Sequence, residues 1–518
     1  MEPYKRIVKL SELCDDAGIA CAEEYADMEI SGITADSRRV KTGYLFIALN
    51  GIHRDGRKYI RDAKEKGSVA CVCEGSEECD IPSVRVLEAR EASARLFASY
   101  YGHPERKIRL VGVTGTNGKT TVSSMIFHAL NSAMRKASLI GTLGAYSPLG
   151  RVDIFPSDAN ANMTTPDPEE LYPLLDRMCR DGAEYVVMEV SSHALALKKL
   201  KPLIFEVAVF TNLTPEHLDM HGDMEGYFGA KRMLFSQSRT AIINADDKYG
   251  ERLLKDDLDV QEKIACRVGG AHSMFERVRA CEPGVKCAYA EQISFATKGD
   301  GVEYRLISPD SRVRIFCPVP GGFNVMNSMQ AALASLALGL SPAEVRAAMA
   351  TFDGVKGRLE RVDIREDVGF SVYIDYAHTP DALENLLATA HSMKKRGGRI
   401  TLVFGCGGDR DISKRREMAH IASRMADITF ITSDNSRSED PQSIISDILK
   451  GIDKESAYAV IPDRADAIRY AVKHARRGDI ILLAGKGHEE YEIDKNGRHP
   501  FCEKEIVLQS AREYWGHG

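Results

Sequence analysis

The chain has 518 residues, with 69 Lys plus Arg against 75 Asp plus Glu and a formal net charge of −6. Hydrophobic residues at 44% and charged residues at 28% exclude wholesale disorder and a fibrous repeat, and at ~100–200 residues per domain the length predicts about three domains. A slightly acidic total excludes a broad nucleic-acid surface, so anionic ligands must be met by local groups.

The N-terminal segment Met1-Glu-Pro-Tyr-Lys-Arg6 has no apolar core after its basic pair, so no secretory signal is expected. The longest apolar stretch, Met326 to Leu340, is interrupted by Asn327, Ser328, Gln330 and Ser335 and falls short of a membrane span. A cytoplasmic protein with no membrane partner is expected. Twelve cysteines are dispersed, with no Cys-x-x-Cys and one close pair, Cys71-x-Cys73. That pattern predicts reduced thiols rather than a zinc site.

In chain order, strands are predicted at Gly43 to Leu49 and Ser68 to Cys73, then a helix at Ala92 to Tyr101 stopped by Pro104. A buried strand at Ile108 to Val113 leads through a glycine-rich turn into an apolar-periodic helix. Strands at Tyr185 to Val190, Val207 to Leu213 and Ala241 to Asn244 follow, alternating with helices such as Pro168 to Arg180. In that helix Leu171, Leu174, Leu175 and Met178 fall at i, i+3, i+4 and i+7. Alternation from Gly284 to Phe316 suggests a small antiparallel appendage before a helix at Ser328 to Leu340. Beyond Gly354 and Gly357, strands at Phe370 to Ile374, Ile400 to Phe404, Ile428 to Thr432 and Asp479 to Leu483 predict a second doubly wound block. The fold class is therefore α/β, with domains at 1–105, 106–352 and 353–518.

The strongest motif is Gly115-Thr116-Asn117-Gly118-Lys119-Thr120, followed by Thr121. Between a strand and a helix, the backbone N–H groups of such a loop point at phosphate oxygens, Lys119 follows the charge, and the Thr120 hydroxyl is placed for Mg²⁺. The loop is two residues shorter than the standard G-x-x-x-x-G-K-[ST] spacing. Glu189, in Val187-Met-Glu-Val-Ser-Ser-His193, ends an apolar strand and suits a metal or a metal-bound water; the plain reading is a glutamate escaping to solvent. His217, Asp219 and His221 follow another strand.

In the third block, Asp375 and His378 sit at a strand's carboxyl end, where α/β folds bind ligands. Glycine-rich loops after neighbouring strands carry Arg410, Arg437, Lys486 and Glu489, which suggests a pocket for a small zwitterion.

Taken together, these motifs resemble the Mur ligase family of ATP-dependent amino-acid ligases in cell-wall precursor synthesis. The likeness runs from Asp36-Ser-Arg38 and Asp55-Gly-Arg57 to Gly485-Lys-Gly-His-Glu489. It implies a UDP-binding first domain, a P-loop-type ATPase with a mostly parallel sheet, and a Rossmann-like amino-acid domain. It further implies that ATP phosphorylates the terminal carboxylate of UDP-MurNAc-L-Ala-D-Glu and that an amino acid's amine attacks the acyl phosphate. The cofactors implied are ATP, Mg²⁺ and a CO₂-derived carbamate on Lys231; from sequence alone Lys231 would be a solvated helix lysine.

By the same resemblance, Thr120, Glu189, His217 and carbamylated Lys231 form the magnesium shell, with Lys119, Lys231 and His217 catalytic. Asn324, Arg358, Asp375 and His378 contact adenine, ribose or phosphate. Ser37 contacts UDP, and Thr164, Thr165, Ser191 and Lys199 hold the muramoyl dipeptide. Leu197 stands where some relatives have glutamine, and Lys199 where they have arginine, which keeps charge but loses the bidentate fork.

The acceptor segment reads Asp434-Asn435-Ser436-Arg437 where the family's DNPR marks meso-diaminopimelate enzymes. Arg437 is retained, so meso-diaminopimelate is expected over L-lysine, with Arg410, Gly485 and Glu489 completing the site. A monomer is expected. Folylpolyglutamate synthase, which shares the glycine-lysine loop, is disfavoured by the first domain, and a GTPase-type switch by the lack of an Asn-Lys-x-Asp signature in a fitting context.

Overall fold

The computed structural model describes residues 6–50, 55–75, 79–152, 164–269, 284–295, 301–365 and 368–516. Three α/β units follow one another, each built on its own sheet. The first sheet is parallel throughout, in the order Gly32–Thr34, Tyr44–Ile47, Ser68–Cys73, Ser83–Arg85. Its helix Ala89–Tyr100 buries Ala92, Leu96 and Phe97 in a core that continues through Leu171, Leu174 and Leu175 of helix Pro168–Arg180 into the central unit. At that seam Glu169 accepts from Thr34 Oγ1 at 2.7 Å and Ala35 N at 3.0 Å. First and central units thus share an apolar core.

The central sheet has eleven strands, with Arg109–Thr114 between Tyr185–Glu189 and Phe205–Phe210. Helices cover both faces of this parallel middle, which is why its strands read as continuous apolar runs. The stretch from 284 to 316 is no separate appendage. Val285–Phe295 pairs parallel with Glu262–Val268, and Val302–Ile307 and Arg312–Cys317 extend the same sheet antiparallel. These strands alternate because one face alone is covered: Tyr304, Leu306 and Ile315 turn inward onto the core of helix Phe323–Ala337. That helix begins five residues before the sequence expectation, directly after Gly321 (φ 104) and Gly322.

The third sheet runs Glu360–Arg361, Ser371–Asp375, Ile480–Ala484, Ile400–Phe404, Ile428–Ile431, Tyr458–Val460, antiparallel only at the first pair. Its two faces carry separate apolar clusters. Among the described residues no helix is long and apolar enough to cross a membrane. Among the described residues ten cysteines are free thiols.

Candidate active site

Strand Arg109–Thr114 delivers the glycine loop to the sheet's carboxyl edge, and helix Lys119–Ser132 leaves it. Gly115 (φ 152) lies so close to strand Phe205–Phe210 that a Cβ would sit 1.8 Å from Thr211 Oγ1. Gly118 (φ 87) caps the helix, and a Cβ there would sit 2.8 Å from Asn327 Oδ1. Both conformations favour glycine. Asn117 N donates to Asn212 Oδ1 at 2.9 Å, and Thr116 Oγ1 lies 3.2 Å from Tyr227 OH. Lys119 Nζ folds back onto Gly115 O at 2.9 Å and Thr116 O at 2.8 Å. Burial lowers its pKa, opposed by Glu216 and Glu189. Thr121 is buried in the helix's first turn.

Thr120 Oγ1 donates to Glu189 Oε2 at 2.9 Å, and Arg358 Nη2 donates to Thr120 Oγ1 at 3.3 Å. Far from escaping to solvent, Glu189 is 2% exposed. Its carboxylate is held by Thr142, through N at 2.9 Å and Oγ1 at 3.1 Å. Thr142 Oγ1 lies 3.2 Å from Thr164 Oγ1. Thr165 Oγ1 donates to Glu189 O and accepts from Ser191 N, both at 2.9 Å. Ser191 Oγ in turn caps helix Ser192–Ala196. The loop threonine, the acid and three of the positions expected to hold the dipeptide are therefore one hydrogen-bonded chain. Lys199 stands apart, buried and paired with Asp167 at 2.5 Å. Sequence reasoning missed Thr142, which follows a strand without any motif around it.

Lys231, on helix Met224–Arg232, is not solvated but 1% exposed. Its Nζ donates to Gly115 O at 2.8 Å, the carbonyl Lys119 also uses, and lies 4.6 Å from the Tyr227 ring centroid. Burial, then the charge of Lys119, push its pKa well below the ordinary lysine value. His217 (φ 57) sets its ring 4.7 Å from His193, while His221 stacks on Tyr227 at 5.1 Å. Burial lowers all three histidines, His193 to about 4. Asp219 is exposed. No hydrogen bond joins His217 to Thr120 or Glu189 among the described residues. Glu216, unremarked in the sequence, lies 3.6 Å from His217 Nε2 and 3.3 Å from His378 Nε2. Burial opposes its ionisation, but His378, His217 and Lys119 hold it well below the carboxylate range.

From the third unit, Asp375 accepts from Leu359 N at 2.6 Å and Ala377 N at 2.8 Å, fixing the turn that presents Arg358. Burial raises its pKa. The Arg358 guanidinium lies 4.6 Å from the Tyr376 ring centroid, and its buried Nε has no partner among the described residues. That unused donor, beside the hard oxygens of Thr120 and Glu189, fits a Mg²⁺-bound phosphate chain. Asn117 Nδ2 also reaches Asp381 Oδ2 at 2.7 Å. Asn324 is 1% exposed, with its amide occupied by Pro320 O at 2.6 Å and Asn327 Nδ2 at 3.0 Å.

Asp434, Asn435 and Ser436 are buried. Asn435 Oδ1 accepts from Lys486 Nζ and Ile493 N, both at 2.9 Å, which turns its Nδ2 toward Glu489 Oε2 at 2.7 Å. Lys486 is therefore no pocket cation but a fully buried brace. Burial, then Asp434, raise the pKa of Glu489. Arg437 (φ 53) is pinned by its N to Ile493 O at 3.0 Å and by Nη1 to Gly408 O at 2.7 Å. Gly485 (φ 115) leaves room for Asp434, whose Oδ2 would be 2.6 Å from a Cβ. Arg410 is exposed. Ser37, in the first unit, offers its carbonyl to Lys66 Nζ at 3.0 Å and makes no contact with the groups above among the described residues.

Three domain families match in series: Mur ligase family, catalytic domain, over residues 29–101; Mur ligase middle domain over 113–335; and Mur ligase, glutamate ligase domain over 357–487. The UDP-N-acetylmuramoyl-L-alanyl-D-glutamate–2,6-diaminopimelate ligase of Syntrophomonas wolfei is 40% identical across 98% of this chain and 99% of its own. The protein of the same name from Clostridioides difficile is 38% identical across 96% and 99%. A solved structure bearing that name superposes with a TM-score of 0.67 at 28% identity, over 98% and 99% of the two chains. The MurF ligase of Thermotoga maritima in complex with ADP shares the fold at 16% identity, with a TM-score of 0.59 over 93% and 97%. End-to-end identity at this level, on an architecture of three such units in this order, means that the chain belongs to the Mur ligase family.

Proposed function

We propose that this chain is the ATP-dependent ligase that joins meso-2,6-diaminopimelate to UDP-N-acetylmuramoyl-L-alanyl-D-glutamate through an acyl phosphate. The observation that carries the reading is the junction of Thr120, Glu189 and Arg358 at the phosphate loop. A carboxylate and an amine do not condense unaided in water. Phosphoryl transfer between two anions needs cations preorganised at the transferring group. Here Arg358 comes from the third unit and Lys119 from the loop, so the ATP site is built by two units.

Thr120 and Glu189 would hold Mg²⁺, with His217 completing the shell; the ion supplies charge neutralisation on the phosphates. Lys231 supports a carbamate because CO₂ adds only to a neutral amine, and burial beside Lys119 disfavours its ammonium form. Thr164, Thr165, Ser191 and Lys199 would take the dipeptide, Ser37 the UDP, and Asn324, Asp375 and His378 the nucleoside side of ATP. Arg437 reads the distal carboxylate of diaminopimelate: its Nε and Nη2 make no hydrogen bond among the described residues. Glu489 takes the distal ammonium, and Arg410 and Gly485 complete the rim. L-lysine, lacking that carboxylate, fits less well.

The test is phosphate release by the full chain with ATP, Mg²⁺ and UDP-MurNAc-L-Ala-D-Glu, offering amino acids one at a time. Release is expected with meso-diaminopimelate and at least ~100-fold less efficiently with L-lysine. Equal turnover of the two would overturn the acceptor assignment.

A further inference from the structure

Strand Ser68–Cys73 places Cys71 and Cys73 two residues apart and so on one face, turned into a small outer core with Phe46, Ile60 and Ala63. The chain returns to set Cys79 beside them, with Cys73 Sγ and Cys79 Sγ 3.6 Å apart. All three sulfurs lie within 4.8 Å of one another. Around a tetrahedral zinc, bonds of ~2.3 Å set sulfurs ~3.8 Å apart, so closing the triad takes rotamer adjustment rather than backbone movement. Arg85, opposite Cys73 on the neighbouring strand, donates from Nη1 to Cys73 Sγ at 3.1 Å and to Gly75 O at 3.3 Å. A guanidinium hydrogen-bonded to one sulfur offsets the negative charge that three thiolates keep around a divalent ion.

We propose that Cys71, Cys73 and Cys79 form a three-thiolate site for a thiophilic divalent cation of the Zn²⁺ type, outside the ligase site. Cys71 and Cys73 are fully buried and Cys79 is half-buried, so the ion enters, and keeps its fourth position for water, on the Cys79 side. Binding replaces the thiol protons, which leave to solvent, and ties Cys71, Cys73 and Cys79 of the first unit together. Sequence spacing hid the site because its third ligand is six residues away from the Cys71-x-Cys73 pair, outside the usual metal signatures.

The test uses the full chain, reduced and stripped with a chelator, then titrated with Zn²⁺ alone against a chromophoric competitor in excess Mg²⁺. One equivalent is expected to bind, with affinity at least ~100-fold lower in Cys79→Ser and in Cys73→Ser. Co²⁺ in place of Zn²⁺ should give a near-ultraviolet sulfur-to-metal charge-transfer band in the wild type and lose it in Cys79→Ser. Alkylation of the wild type, mapped by mass spectrometry, should show these three cysteines protected by Zn²⁺, which keeps the test decisive if a variant misfolds. The proposal is overturned if wild type and Cys79→Ser yield Zn²⁺ equally readily, if protection falls on other residues, or if the reduced protein takes up no Zn²⁺ and Cys73 and Cys79 only form a disulfide in air.

Discussion

Arg437 permits a separation of folding from recognition. Its backbone is left-handed (φ 53), which in a non-glycine residue costs about 1–2 kcal/mol, and its Nη1 recovers part of that through Gly408 O at 2.7 Å. Arg437→Gly removes the strain and the side-chain bond together, so the two nearly cancel and the urea midpoint should move by less than ~1 kcal/mol equivalent. Recognition has no such compensation. The acceptor loses a charge-assisted pair worth about 3 kcal/mol, so kcat/KM for meso-diaminopimelate should fall ~100-fold. KM for ATP should stay within ~2-fold, since the proposed phosphate contacts lie at Lys119, Thr120 and Arg358. Arg437→Lys, which keeps charge without the fork, should lie between, near ~10-fold. The assay is steady-state phosphate release with meso-diaminopimelate and L-lysine varied separately. Equal losses for both amino acids, or no loss for diaminopimelate, would refute the claim that Arg437 reads the distal carboxylate.

Lys231→Ala should lower kcat at least ~100-fold, and short carboxylates such as formate should restore part of it by standing in for the carbamate; unaided wild-type turnover in that variant would end the carbamate reading. Gly485→Ala places a Cβ 2.6 Å from Asp434 Oδ2 at φ 115 and should destabilise by ~2 kcal/mol, read as a urea midpoint; an unchanged midpoint would show that the loop yields freely. His488 is lowered to about 4 by burial, then by Arg358 and Lys356. The unfolded chain therefore takes up that proton first, and the stability His488 contributes is complete above pH ~6.5 and lost as pH falls toward 4. Discounted for solvent screening, this amounts to ~2 kcal/mol between pH 7 and 4, and His488→Gln should flatten that part of the profile. Parallel profiles for the two proteins would exclude it.

The parallel strands were legible because burial on both faces writes itself as an apolar run, as in Tyr185–Glu189. Glu189 stood out as the one charge in such a run, and the glycine loop by its glycines at fixed offsets. Other features had no local signal. The edge strands from 285 to 317 looked detached because alternation marks one-sided burial, not a separate unit. Lys231 looked like any helix lysine, since its burial depends on Gly115, 116 positions earlier. Lys486 looked like a pocket cation although Asn435 and Tyr491, reached only in the folded chain, bury it. Thr142 and Glu216 matter through partners that sequence spacing does not reveal.

Two contacts at the phosphate loop, Asn117 with Asp381 and Thr120 with Arg358, are also contacts between the central and third units. A nucleotide bound at the site proposed above would compete with these contacts, so its binding free energy would include the cost of breaking or rearranging them. By linkage the effect would be reciprocal: a ligand that biases the placement of that unit would change affinity for ATP by the factor by which ATP changes its own. On that reading, a pair of hydrogen bonds would couple the two substrate sites.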